Sequence, residues 1–168
     1  MDFFAQNLKC LQEYDPELAE RVASQPFPDN ITVIRSKDGL PVPKIAGVTL
    51  HSQYRPLEEG ERTTVDYTFD PKRKAIVFGL GFGYHIQVLL KKQTGDLTVV
   101  EPLMPMFRAF MTYMDLRPFM PRVRFRIGET PACLLARLET DHWNIFKHLP
   151  SIPKSISLAR FTLMIYPY

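Results

Sequence analysis

Apolar residues recur at threes and fours near the start of the chain: Phe4, Leu8, Leu11, Tyr14, Leu18 and Val22. That spacing predicts helix over residues 3 to 23, with Asp15-Pro16 as a restart signal, Asp15 capping and Pro16 at the first helical position. After QPFPDN the period changes. Ile31 and Val33, then Leu40 and Val42, flank SKDG, and Asp38-Gly39 predicts a hairpin. Val48 to Leu50 adds a third strand to a small β-meander. Pro41 and Pro43 predict that their segment lies at a sheet edge, because proline has no N–H to give a ladder. RPLEEGERTTVDYTF then predicts a helix with Pro56 at its first position and Glu58 and Glu59 in the first turn, where carboxylates complement the positive dipole end. Gly60 is an unfavourable residue for the middle of that helix.

From residue 75 the pattern alternates between strands and helices. AIVFG, DLTVVEP and RVRFRIG read as short strands, and YHIQVLLKKQ, PMFRAFMTYMDL and ETPACLLARLE as helices, the last with Thr130 as N-cap and Pro131 behind it. FTLMIYP reads as a fourth strand, or a fifth if WNIFKHL is one. Strands alternating with helices of this length imply right-handed crossovers and a mostly parallel sheet. The boundary between residues 1–70 (helix, meander and linking helix) and 71–168 (the α/β part) falls at this change of pattern.

Composition narrows the classes. A chain of 168 residues with 45% hydrophobic and 23% charged residues reads as globular. A net charge of +3, spread evenly, argues against nucleic acid as a partner. Cys10 and Cys133 have no metal-ligand spacing and suit a reducing, cytoplasmic setting better than a disulfide scaffold. The acidic N-terminal segment does not read as a signal peptide, and no apolar run is long enough to predict membrane insertion. The four histidines and two cysteines predict no metal.

The densest motif is AIVFGLGFGYHIQVLL, where Gly79, Gly81 and Gly83 fall at one strand-to-helix turn. Glycines there let the backbone take positive φ and approach a ligand, and the helix N-terminus behind them offers free N–H groups. Tyr84 stands where a dinucleotide fingerprint needs its last glycine. The G-x-G-x-G pattern is instead similar to class I S-adenosylmethionine-dependent methyltransferases, in which an acidic residue closing the next strand binds ribose hydroxyls; Glu101 stands there. The resemblance implies a Rossmann-like, three-layer fold and a cofactor site of Gly79, Gly81, Gly83 and Glu101 for a nucleotide, a sugar nucleotide or S-adenosylmethionine. Two departures count against a methyltransferase: Val77-Phe78 replaces the usual acid before the glycines, and no NPPY-type motif is present. The packing alternative also stands, since such glycines equally permit close helix–strand contact.

A longer resemblance runs from about residue 30 onward. LHSQYRPLEEGERT, IVFGLGFGYHIQVLL and VVEPLMPMFRAFMTYMDL together resemble the N-terminal region of bacterial motility accessory factors, in a broad family that includes archaeal 6-hydroxymethylpterin diphosphokinases. The matching positions include Leu50, His51, Ser52, Tyr54, Pro56, Glu59, Arg62, the three glycines, Tyr84, His85, Glu101 and Pro102. Arg55 departs from the usual Asp, Phe82 and Leu103 also differ, and Gly60 stands where Ala is common. The resemblance implies a part in flagellin glycosylation with nonulosonic acids, with transferase chemistry in a larger domain beyond this chain. It names that C-terminal domain and flagellin as partners.

His51, Ser52, Tyr54, Tyr84 and His85 are the remaining candidate ligand contacts. His51 is the natural general base by its ordinary pKa, although a buried, hydrogen-bonded role also suits it. Arg122, Arg124 and Arg126 alternate in RVRFR and share one strand face, as an edge strand that repels pairing or as a surface for an anionic partner. The stripe Met104, Phe107, Met111 and Met114 reads as core.

Overall fold

A computed structural model describes residues 2–68, 70, 74–92, 95–138 and 143–147. Helices α1 (Phe4–Tyr14) and α2 (Pro16–Ala23) form the predicted broken helix. Asp15 caps α2 by accepting from the Leu18 N–H at 3.0 Å, and Pro16 follows it. Strands β1 (Ile31–Arg35), β2 (Pro41–Ile45) and β3 (Val48–Thr49) make an antiparallel meander in that order.

The meander corrects one expectation: β2 is the central strand, in spite of Pro41 and Pro43. The ladder explains it. Ser36 N–H donates to the Leu40 carbonyl across the turn, and antiparallel bonding then alternates down the strands. With Arg35 opposite Pro41 and Val33 opposite Pro43, both prolines fall at the positions that do not bond to β1. Their missing N–H groups point toward β3, which is only two residues long. β3's neighbour Leu50 asks of Pro43 only its carbonyl, at 3.0 Å.

Helix α3 (Pro56–Thr63) leads into the second sheet: β4 (Lys74–Phe78), α4 (Tyr84–Lys92), β5 (Leu97–Glu101), α5 (Met104–Tyr113), β6 (Val123–Ile127), α6 (Pro131–Leu138) and β7 (Trp143–Lys147). Its four strands lie in the order β6-β5-β4-β7, and each described pairing is parallel. The protein is therefore mixed α/β with a parallel sheet. WNIFKHL supplies β7, whereas FTLMIYP lies outside the described residues. Thr130 Oγ1 accepts from the Cys133 N–H at 3.4 Å, which fits its expected place ahead of α6.

One core runs from α1 to β6. Leu11, Leu18 and Val22 join Val77, Leu97, Val99 and Ile127 in a single buried cluster. α5 packs on β5 and also meets α1, α2 and β1. Phe110 sits at the centre, with ring centroids of Phe107, Phe119 and Phe125 between 5.4 and 6.2 Å away. The methionine stripe divides: Met111 and Phe107 are fully buried, while Met104 and Met114 pack at the margin of the core.

Asn7 is a polar residue in this apolar setting that sequence pattern did not single out. It is fully buried in α1, where its Nδ2 donates to the carbonyls of Met111 and Met114 and its Oδ1 accepts from the Leu116 N–H. These bonds satisfy the end of α5, whose last carbonyls have no partner within the helix. Asn7→Leu keeps the branched shape, adds some bulk and strands those buried groups, so it should cost about 2–4 kcal/mol. Urea denaturation of both proteins measures the difference; an unchanged midpoint would show that the α5 terminus is satisfied in another way.

Candidate functional site

The glycine turn, residues 79–83, leaves β4 at its carboxyl end. β4 lies between β5 and β7, so the strand order changes direction there, and open α/β sheets bind ligands beyond the carboxyl ends at such points. Gly79, Gly81 and Gly83 have φ of 93°, 49° and 74°, all in the region that favours glycine. The conformational half of the expectation follows directly from those angles.

The turn is nevertheless covered. Leu80, Phe82 and Tyr84, which alternate with the glycines, are all buried. The Tyr84 hydroxyl donates to the Pro41 carbonyl at 2.7 Å, which ties α4 to the meander, and burial raises its pKa. Phe82 stacks on Tyr113 of α5 with centroids 5.9 Å apart. A Cβ on Gly83 would meet the Phe119 ring at 3.0 Å, and one on Gly81 would fall 2.4 Å from His51 Nε2. Both glycines are required by contact as well as by φ.

Two side chains take up the turn's N–H groups. Glu101 is 6% exposed at the end of β5. Its Oε2 accepts from the Leu80 N–H and its Oε1 from the Leu103 N–H, each at 3.0 Å. Burial pushes its pKa up to about 7, against the opposing pull of the Leu80, Leu103 and Gly81 N–H groups. His51 is 3% exposed, and its Nε2 accepts from the Phe82 N–H at 2.8 Å. That bond requires the neutral ring with hydrogen on Nδ1, which faces Glu59 Oε2 at 3.8 Å. Glu59 in turn accepts from the Ser52 N–H at 2.7 Å.

His85 is fully buried, and its Nε2 donates to the Gly79 carbonyl at 3.0 Å. Its ring lies 5.9 Å from that of His51, whose edge meets the Tyr84 ring at 5.0 Å. The structure thus gathers His51, Tyr84, His85, the three glycines and Glu101 into one buried cluster. Ser52 and Tyr54 lie apart from it. Ser52 Oγ accepts from the N–H groups of Tyr54 and Arg55, and the exposed Tyr54 ring carries Lys37 Nζ 4.5 Å above it. Both residues line an open surface cleft of about 540 Å³ beside α3.

Two residues of the motif have roles at the turn that the sequence did not assign them: Glu59, expected only to complement the helix dipole, and Gly60. Glu59 orients His51 and the backbone at Ser52, and its eight-residue spacing from His51 was the available signal. Gly60 has its reason in packing: a Cβ there would stand 3.1 Å from the His85 N and Tyr84 O backbone atoms. Its place in mid-helix lets α3 lie against the first turn of α4. Among the described residues, no cluster of three or more His, Cys, Asp or Glu side chains could hold a metal ion, and no helix is long and apolar enough to cross a membrane.

Fold and turn together define a mixed α/β domain with a parallel sheet and a glycine-rich turn at its switch point. Residues 48–130 match the family model of the glycosyltransferase Maf N-terminal domain. The chain is 27% identical over 135 residues to an uncharacterized protein of Treponema pallidum (strain Nichols), a match covering 74% of this chain and 46% of that protein. The structure of MAf glycosyltransferase from Magnetospirillum magneticum AMB-1 superposes with a TM-score of 0.69 at 17% identity, over 98% of this chain and 34% of that one. At that identity the superposition speaks to the fold. The family model covers just under half of the chain, and the superposition shows the fold. The chain spans less than half the length of either relative.

Two predictions follow from the turn's geometry. Gly81→Ala should lose about 2–4 kcal/mol, combining left-handed strain with the contact on His51. In a His51→Ala background the same change should cost only about 1–2 kcal/mol, the strain alone. Chemical denaturation of the four proteins gives the coupling, and additive losses would separate His51 from the turn.

The second concerns pH. The Glu101 pKa lies above its unfolded value of 4.5, so the folded protein binds the extra proton between pH 4.5 and about 7. This contribution to stability is therefore present at low pH and lost as pH rises through that window, by roughly 3 kcal/mol. Glu101→Gln should remove that slope. Denaturation midpoints across the window test it, and parallel profiles for the two proteins would contradict the assignment.

Proposed function

We propose that this chain is the N-terminal accessory domain of a motility accessory factor-like protein implicated in flagellin glycosylation. On this reading the sheet is the core of a Rossmann-like, three-layer unit, and the glycine turn is a structural hub. The observation that carries the proposal is the closure of the turn. The Leu80 and Phe82 N–H groups, which a phosphate or ribose would need, already donate to Glu101 and His51. Both Glu101 oxygens accept from backbone, although a diol-binding carboxylate has to offer them to hydroxyls.

The partial coverage of both relatives supports a division of labour, with transfer chemistry in the rest of a longer protein. Sugar transfer from an activated nonulosonic acid needs a base or leaving-group stabiliser and a site that holds donor and acceptor together. The buried histidines and Glu101 are committed to backbone partners. The domain's work is then to position the transferase domain and its flagellin acceptor in the cytoplasm.

The test compares residues 1–168 with the longer protein. Each is incubated with activated nonulosonic acid and flagellin, and the flagellin mass is read. The longer protein should add sugar and the 168-residue chain should not. Calorimetric titration of the chain with sugar nucleotides, S-adenosylmethionine and pterin phosphates should give no heat of binding. Sugar transfer by the short chain at a comparable rate would overturn the proposal. Micromolar binding of a nucleotide that Gly81→Ala abolishes would return the turn to a ligand-binding role.

A further inference from the structure

The geometry around His51 points to a conformational device: we propose that its ring is a proton-operated latch, which holds the glycine turn shut while neutral and moves from the Phe82 N–H to the Glu59 carboxylate on taking up a proton. The latched state is fixed by one bond. The bare Nε2 accepts from the Phe82 N–H at 2.8 Å, and both residues are buried. The hydrogen of the neutral ring is then on Nδ1, which faces Glu59 Oε2 at 3.8 Å, beyond hydrogen-bond length.

Protonation reverses both contacts at once. It places a second hydrogen on Nε2, so two N–H donors meet head to head and neither can accept. The same proton makes the ring a cation beside a carboxylate, and closing the 3.8 Å gap to Glu59 turns that neighbour into a charge-assisted partner. The other titratable groups around the ring offer no competing place for it. From α4, Tyr84 meets the ring edge-on at 5.0 Å, with its hydroxyl committed to the Pro41 carbonyl. His85, also from α4, lies 5.9 Å away, with its Nε2 on the Gly79 carbonyl. Glu101, at the end of β5, has both oxygens on the N–H groups of Leu80 and Leu103.

The opening is local, because the segment that carries the latch is held by bonds that do not involve the ring. The Ser52 N–H donates to Glu59 Oε2 at 2.7 Å. The hairpin of the meander reaches the same segment: the Lys37 N–H donates to the Gln53 carbonyl at 2.9 Å and the Asp38 N–H to the Tyr54 carbonyl at 3.4 Å. These bonds keep the segment beside the turn while the ring moves. On the far side of the turn the Leu80 N–H keeps its bond to Glu101. Release of His51 thus frees the Phe82 N–H above Gly81, a backbone donor that the neutral form hides, and leaves the core beneath it packed. The turn has a closed state and an open state, and the proton decides between them.

The experiment is nuclear magnetic resonance on the 168-residue chain from about pH 8 to about pH 5, which brackets the ordinary histidine range. Long-range nitrogen–proton spectra should show His51 with hydrogen on Nδ1 alone at the upper end and on both nitrogens at the lower end. In step with that change, the exchange protection of the Phe82 amide should fall at least about tenfold, while that of Val99 in the inner strand β5 holds. His51→Gln puts an amide oxygen where Nε2 stood and has no charge to gain, so Phe82 should stay protected throughout. Glu59→Gln removes the receiving carboxylate and should move the opening to lower pH, and Glu101→Gln should leave the response in place. The amide spectrum of each variant checks its fold, and the wild-type titration stands without them. Any of these results would overturn the proposal: hydrogen on Nε2 at the upper end, a ring that stays neutral to the lower end, or a ring that titrates with Phe82 still protected. So would loss of protection shared by Val99 or by His51→Gln, a response abolished by Glu101→Gln, or an opening that Glu59→Gln leaves at the same pH.

Discussion

The Glu101 carboxylate holds the carboxyl ends of two neighbouring strands together. One oxygen takes the N–H of Leu80, just past β4, and the other takes the N–H of Leu103, just before α5. Neither strand ladder nor helix satisfies these groups, and a buried, unpaired N–H costs about as much as a lost hydrogen bond. The acid therefore sits where an external anion sits in related turns, on positive backbone dipoles at a helix N-terminus. Its desolvation is the cost of that arrangement and raises its pKa to about 7.

The second support comes from outside the sheet. His51, in the segment between β3 and α3, reaches over Gly81 to the Phe82 N–H. It can lie so close only because Gly81 has no side chain. Gly60 plays the matching part from α3, where its bare Cα lets the helix rest on the backbone of Tyr84 and His85. The meander adds the Pro41 carbonyl as acceptor for Tyr84. Segments before β4 thus lock the turn from above while Glu101 locks it from the side, and the α1-to-β6 core gives them a rigid base.

This arrangement bears on how a glycine motif is read. Glycines at a strand-to-helix turn give the backbone freedom to approach something closely, and the motif does not say what that partner is. Here His51 approaches Gly81, and the Phe119 ring approaches Gly83. The proposed supporting role rests on this closure of the turn by the chain's own side chains. Among the described residues, surface clefts lie elsewhere, at the corner of α1 and α2 and beside α3.

Periodicity and capping chemistry determined the local elements: the break at Asp15-Pro16, the hairpin at Asp38-Gly39, and the strand–helix alternation from β4 to α6 all depend on neighbours within a few residues. The motif from Leu50 to Pro102 also brought out the residues that meet at the turn, because a fixed order of unusual residues marks a shared structure. Other outcomes depended on partners distant in sequence. Whether β2 could be central was decided by the shortness of β3 and the side to which its prolines turn. Whether Glu101 faced a ligand or the chain itself was decided by where Leu80 and Leu103 present their N–H groups. Asn7 was unreadable as a structural residue because its partners lie more than a hundred positions away. A hydrogen-bond donor in the sequence announces a need for an acceptor, and only the tertiary structure decides which group meets it.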